Sequence, residues 1–452
     1  MELSVIGLGK LGAPLAAVLA SKGHQVVGVD VSHVAVERLN AGKAPVEETG
    51  LQDLIDECGG RLRATLSVEE AVLASSVTFI IVPTPSGPDG TFVLDYLMPA
   101  VEAVGTALKV KPDRHTVVIT STVMPGSTDG PIRHALEEAS GLVVGRDVGL
   151  CYSPEFIALG SVIHDMLHPD LILVGESDTQ AGDTLEEVAR GLAEGEPPVM
   201  RMALVNAELA KIAVNTFVTT KISFANMLGE ICEGLVGADV HVVTAAAGLD
   251  SRIGRRYLQG ATAYGGPCFP RDTVAFSALA RRVGTSADIA EATAAINDRQ
   301  VGRLVKRAAD AAPRGGRVAV LGLSYKPGTH VVEESAGVAA ALGLAERGLS
   351  VRVFDPLAMP AARAVLGDRV DWAASAADCV GGTDVVVVTT GWDDFRLLGP
   401  EDFRRGGTRP MVFDCWRILD AERLESAADV LHLGAGYGPG QVGLGEGDPC
   451  CD

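Results

Sequence analysis

Residues 263 to 272 read AYGGPCFPRD, which sets Cys268 between a Gly-Gly-Pro turn and a Phe-Pro-Arg-Asp turn. A thiolate in such a loop can attack a carbonyl carbon, and Arg271 favours the charged form of the sulfur. The glycines and prolines fix the loop's shape around the thiol. Taken alone, a cysteine is more often a small buried hydrophobe than a nucleophile. Lys211 and Asn215 lie four residues apart in a stretch of helical composition, so both project from one helix face. Such a pair can border a cleft or simply be solvated. Glu155, in SPEF (153 to 156), follows an apolar run at the position where active groups of open α/β sheets gather, although a loop glutamate alone is commonly just solvated.

A second constellation stands at the N-terminus. Gly7-Leu8-Gly9-Lys10-Leu11-Gly12 fits GxGxxG between an apolar β-prone run and a helical one. The glycines permit the tight turn, let backbone amides approach a pyrophosphate and let helix pack on strand. Asp30 follows Gly12 by 18 residues at the end of the second apolar run. A carboxylate there accepts from a ribose diol and repels a 2′-phosphate, so the expected cofactor is NAD rather than NADP. A tight turn without a ligand is the bland alternative.

The elements needed to position these groups are legible as alternation. LSVIGLG, QVVGVD, VTFIIVPT (77 to 84), TVVITST (116 to 122), DVGLCYSPE (147 to 155) and LILVGE (171 to 176) read as buried strands with helical segments between several of them. That pattern predicts a parallel sheet covered on both faces. From about residue 200 to 310 the strand signal gives way to helix, and 201 to 236 holds no proline and no glycine before Gly229, which predicts one long connecting helix. Strands resume at RVAVLGLSYKPG (317 to 328), SVRVFDPLA (350 to 358), DVVVVTTGW (384 to 392) and PMVFDCWR (410 to 417). Both halves run strand, glycine turn, helix and a second strand ending in an acid, Asp30 or Asp355. The expected fold class is therefore α/β: two Rossmann-like doubly wound domains, 1–199 and 311–435, joined by a helical region, 200–310, with a Gly-rich tail, 436–452, reading as disordered. In the second glycine turn Ser324 replaces the second glycine, so that half suits a mononucleotide better than a dinucleotide.

Composition narrows the function classes. A chain of 452 residues with 47% hydrophobic and 21% charged residues has a large core to bury. Its net charge of −20 disfavours nucleic acid and anionic lipid as partners, so an anionic substrate must meet local cations. No basic segment precedes the first apolar run, and no apolar stretch approaches the ~18 residues of a membrane span, so the expected location is the cytoplasm. The eight cysteines show no zinc-like pairs, and no metal is expected. The adjacent Cys450 and Cys451 sit on the tail without an evident role.

Taken together, GLGKLG, VPTP (82 to 85), STVMPGS (121 to 127), SPEF, ELAKIAVN (208 to 215), YGGPCFPRD and LGLSYKPGT (321 to 329) resemble the nucleotide-sugar 6-dehydrogenase family, over residues 1 to about 420. The resemblance implies oxidation of a sugar C6 alcohol to a carboxylate with two NAD, of UDP-glucose first; the alternatives are the same chemistry on UDP-N-acetylhexosamine, GDP-mannose or dTDP-glucose, or a non-catalytic nucleotide-sugar-binding protein. It implies catalytic roles for Cys268 as nucleophile, Lys211 and Asn215 at the oxyanion, Asp272 and Thr122 around a proton-transferring water, and Glu155 as base or orienter. Gly7, Gly9, Lys10, Leu11, Gly12, Asp30, Pro83, Thr84, Thr122 and Arg271 would contact the cofactor. Glu155, Phe156, Lys211, Asn215, Tyr257, Leu258, Gln259, Tyr264, Gly265, Tyr325, Lys326 and Arg417 would contact the nucleotide sugar. A homodimer or higher homo-oligomer is expected around the long helix. Three departures stand out: Pro267 and Arg271 where the family has Ser and Lys, Ala158-Leu159 where it has an Arg-Glu pair, and Glu333 where an Arg near the cofactor is usual.

Overall fold

The computed structural model describes residues 1–404 and 409–438, so Cys450, Cys451 and most of the Gly-rich tail lie outside the described residues. The chain folds as two compact units, Met1–Val214 and Asn215–Asp452.

The first unit is built on eight strands: β1 (Glu2–Ile6), β2 (Gln25–Val29), β3 (Leu62–Thr65), β4 (Val77–Ile80), β5 (His115–Ile119), β6 (Val148–Tyr152), β7 (Ile172–Glu176) and β8 (Val199–Ala203). Their order is β3-β2-β1-β4-β5-β6-β7-β8. Neighbours pair in parallel except β6 and β7, which run antiparallel. Because β2 and β4 flank β1 on opposite sides, the chain reverses its winding beside β1, where open sheets of this kind form their ligand crevice. Every residue of β4 and β5 is buried, which is why they read as unbroken apolar runs rather than alternating ones. Ala16, Leu19, Leu51, Ile55 and Leu185 cover one face, and Val101, Val104, Leu108 and Leu136 cover the other.

The sequence expectation of helix from residue 200 is corrected at its start. Residues through Ala203 form β8, which pairs with β7, and the helix begins at Leu204. An edge strand pairs on one side only, so VMRMA lacks the apolar run that betrays a central strand. The short β3 escaped the sequence reading for the same reason.

The Leu204–Glu233 helix crosses the boundary between the units as one continuous element of 30 residues. The second unit continues with helices Val240–Gly248, Phe269–Arg282 and Asp288–Ala311, then a six-stranded sheet. Its strands are β9 (Arg317–Leu321), β10 (Ser350–Phe354), β11 (Asp371–Trp372), β12 (Val385–Val388), β13 (Met411–Asp414) and β14 (Asp429–His432). They lie in the order β11-β10-β9-β12-β13-β14, all parallel. Leu304, Val305 and Ala308 of the Asp288–Ala311 helix pack with Val318, Val320 and Val385 on one face, while Phe395 and Phe403 close the other over Val386 and Val388. Among the described residues no helix is long and apolar enough to cross a membrane.

Candidate active site

In the first unit, the turn after β1 opens on a cavity of about 760 Å³. Gly7, Gly9, Lys10, Leu11, Gly12, Asp30 and Pro83 all line it. Gly7 has φ +97, and a Cβ there would stand 2.0 Å from the Ile81 carbonyl oxygen. A Cβ on Gly12 would stand 1.7 Å from the Gly7 oxygen, so no side chain is tolerated where helix meets turn. At Gly9 a Cβ meets no protein atom within 4 Å, so this backbone faces open space and can be approached closely by a ligand. Asp30 accepts from Leu8 N (Oδ2, 2.7 Å) and Ser32 N (Oδ1, 2.8 Å), which orients the carboxylate while leaving lone pairs for a ribose diol. The cradle therefore fits a dinucleotide. Thr84 and Thr122 do not line this cavity; Thr84 Oγ1 donates to the Thr122 carbonyl (2.6 Å), joining the loops that follow β4 and β5. Sequence reasoning missed Leu66, Val68, Tyr96 and Pro99, which also line the cavity and carry no glycine or charge pattern to announce them.

Lys211 and Asn215 are 8% and 9% exposed, which removes the reading of a solvated pair on a helix surface. Lys211 Nζ donates to the Glu155 carbonyl (2.6 Å) and lies 4.6 Å from the centroid of the Phe156 ring. Burial pushes the Glu155 carboxyl up to about 7, against the opposing pull of Lys211. A glutamate so placed holds a proton near neutrality and can give or take it. Glu208, a turn before Lys211 and given no role in the sequence reading, accepts from Gly126 N (2.6 Å) and Thr128 N (2.7 Å) in the loop that carries Thr122.

In the second unit, Cys268 is exposed at the N-cap of the Phe269–Arg282 helix, which disposes of the buried-hydrophobe alternative. A helix N-terminus favours negative charge. Pro270 sits in the first turn, where its missing N–H costs nothing. Asp272, four residues on, is 1% exposed and accepts from Asn215 Nδ2 (2.6 Å), with Arg271 Nε 3.6 Å from its other oxygen. Cys268's own helix thus carries the acid that Asn215 holds.

The segment leading to Cys268 is clamped from two helices. Asn226 accepts from Ala261 N (2.9 Å) and donates to the Thr262 carbonyl (3.1 Å). Asn297 accepts from Tyr264 N (2.8 Å) and donates to the Tyr264 carbonyl (3.1 Å). Neither asparagine was singled out in the sequence. Beyond Tyr264, a Cβ on Gly265 would stand 2.0 Å from the Glu334 carbonyl oxygen, and one on Gly266 would strike the Tyr325 ring. Gly266 N donates to the Glu333 carbonyl (3.0 Å). The cysteine loop is therefore seated on the segment that carries Tyr325 and Lys326, and the departure at Glu333 meets it through backbone while its own side chain is exposed. Leu258 is buried and Tyr257 and Gln259 are exposed. Arg417 gives Nη1 to Asp239 (2.6 Å) and Nη2 to the Leu433 carbonyl (3.4 Å), so a phosphate there would share the guanidinium with an existing partner.

Comparison with known proteins gives a consistent picture. The chain matches, in order, three domains of the UDP-glucose/GDP-mannose dehydrogenase family: NAD binding (residues 1–192), central (205–299) and UDP binding (319–421). It is 40% identical to the UDP-glucose 6-dehydrogenase AglM of Haloferax volcanii, over 89% of this chain and 94% of that protein. It is 36% identical to the GDP-mannose 6-dehydrogenase of Azotobacter vinelandii, over 78% of this chain and 81% of that protein. Among solved structures it is similar to a UDP-glucose dehydrogenase of Pyrobaculum islandicum, with TM-score 0.87 and 38% identity over 96% of this chain and 98% of that one.

Proposed function

Because the chain belongs to the UDP-glucose/GDP-mannose dehydrogenase family, we propose that it oxidises the C6 alcohol of UDP-glucose to a carboxylate, giving UDP-glucuronate. The coarse activity, NAD-dependent nucleotide-sugar 6-dehydrogenation, is the family's; the sugar and the residue roles are our reading. Exposure of Cys268 at a helix N-terminus, beside a buried Asp272 held by Asn215, is the observation that carries it.

NAD, bound on the glycine turn, supplies a hydride acceptor for each of two oxidations. The balance is alcohol, two NAD⁺ and water giving carboxylate, two NADH and three protons. The alcohol's proton passes to water organised by Asp272 and Thr122, while Lys211 and Asn215 stabilise the negative oxygen. The aldehyde has no second hydride that departs readily. Addition of the Cys268 thiolate makes a tetrahedral thiohemiacetal that has one, and its oxidation leaves a thioester. Water activated by Glu155 then breaks the carbon–sulfur bond and returns the thiolate. Tyr325, Lys326 and the Tyr257–Gly265 segment hold the nucleotide diphosphate, the Lys326 ammonium locally offsetting the chain's net charge of −20.

The same chemistry on GDP-mannose or another nucleotide sugar is the second reading, favoured by the likeness to the Azotobacter vinelandii protein. Cytoplasmic location is supported by Cys58, Cys151, Cys379 and Cys415, all buried thiols rather than disulfides. Homo-oligomerisation is supported by Phe217, Phe224 and Ile231, exposed seven residues apart on the long helix; light scattering of the purified protein reads that state.

The deciding assay supplies NAD and a panel of nucleotide sugars and counts NADH per sugar consumed. Two NADH on UDP-glucose is the expected result; one NADH, or none with any sugar, sinks the proposal. Cys268→Ser is expected to keep sugar binding and lose turnover by at least about a thousandfold.

A further inference from the structure

Glu208 performs none of these steps, yet it is wholly buried on the helix that carries Lys211. Burying a carboxylate is costly, and an apolar residue would hold the helix against the sheet at less expense. Its two oxygens are each spent on one backbone amide, Gly126 N at 2.6 Å and Thr128 N at 2.7 Å. Three residues further along, on the same helix face, Lys211 Nζ takes the Glu155 carbonyl at 2.6 Å. One face of the helix thus grips amides in the loop after β5 and a carbonyl in the loop after β6, and those strands are adjacent. The loop after β5 is held at its other end too, where Thr84 Oγ1 reaches the Thr122 carbonyl and Ser121 Oγ bonds Val82 N (2.9 Å) and the Val82 carbonyl (2.7 Å).

We propose that Glu208 is a positioning residue which fixes the Thr122 loop in register with Lys211. This rests on the function proposed above. A loop anchored only at Ser121 and Thr122 can swing about that end, whereas a carboxylate bridging Gly126 and Thr128 makes the second anchor and ties it to the Lys211 helix. Only a carboxylate can do this with one side chain, because it accepts at both oxygens; glutamine turns a donor toward one of the amides.

The test uses the full-length enzyme, after the wild type has been shown to make two NADH per sugar, so that failure of the functional reading is seen first and separately. Glu208→Gln is expected to lower kcat about tenfold and Glu208→Ala about a hundredfold, with KM for the nucleotide sugar within about threefold of wild type, as a misplacement of order 1 Å in a catalytic constellation does. Rates are expressed per alkylatable Cys268, so that loss of folded protein does not count as loss of kcat. A kcat within twofold of wild type in Glu208→Gln, or a loss confined to KM, overturns the proposal. Should both variants fail to fold, hydrogen exchange on the wild type decides: slow exchange at Gly126 and Thr128 supports the anchor, and exchange as free as at the exposed Gly195 overturns it.

Discussion

At Glu155 two effects oppose each other, since burial disfavours the carboxylate and Lys211 favours it, and burial wins to leave the group near 7. An unfolded glutamate ionises near 4.5. Between those values the folded protein holds a proton that the unfolded chain has lost, so stability falls as pH rises through the window and the whole penalty is in place above pH 7. Glu155→Gln removes that penalty. Thermal unfolding is expected to show the variant more stable than wild type by on the order of 2 kcal/mol at pH 8.5, the gap closing toward pH 5; a pH-independent difference contradicts it. If Glu155 is also the base for thioester hydrolysis, kcat of the wild type climbs with pH through 7 and the variant loses that limb. The position of Glu155 after a strand could be read from SPEF. Its protonation could not, because it depends on burial that exists only in the folded protein. Glu208 was illegible for a related reason: nothing in ELAKIAVN says that its glutamate faces inward to find backbone amides.

The elements divide in a similar way. The long helix was visible because a thirty-residue stretch almost without glycine or proline has few other folds available. The central strands were visible as apolar runs, whereas β3, β8, β11 and β14, short or at an edge, bury too little to leave that mark. What sequence could not supply was the means by which helices hold loops. Asn226 and Asn297 read as polar positions on helices, yet each spends both functions of its amide on the backbone just before the cysteine loop. Asn297→Ala deletes two hydrogen bonds and strands the buried Tyr264 amide and carbonyl, which costs about 2 to 3 kcal/mol. The expected outcome is a lower unfolding temperature and a KM for the nucleotide sugar raised about tenfold, with NAD affinity, measured by fluorescence titration, unchanged. A variant that weakens NAD and sugar equally shows that the clamp does not act on the loop alone.

Across the whole molecule the chain uses one plan twice, and the repetition was evident from two strand–glycine–helix–strand–acid runs. The two copies differ where the acid ends its strand. Asp30 accepts two backbone amides and faces a cavity. Asp355 is buried, and its Oδ2 takes Leu323 N, Ser324 N, Ser324 Oγ and Trp392 Nε1 while Oδ1 takes Leu357 N and Ala358 N. No acceptor capacity remains for a ribose diol, so Asp355 staples the second sheet's turn where Asp30 presents a ligand site. Ser324, read in the sequence as a missing glycine, turns out to be one of the donors that fill the acid. Two consequences separate the copies. Calorimetric titration is expected to find one NAD per chain, and two would show that the second turn also takes a dinucleotide. Asp30→Asn should weaken NAD binding about tenfold at nearly unchanged stability. Asp355→Asn turns an amide toward a crowd of donors and should cost at least about 3 kcal/mol in unfolding free energy while leaving the affinity for NAD as it was, because its task is to hold backbone.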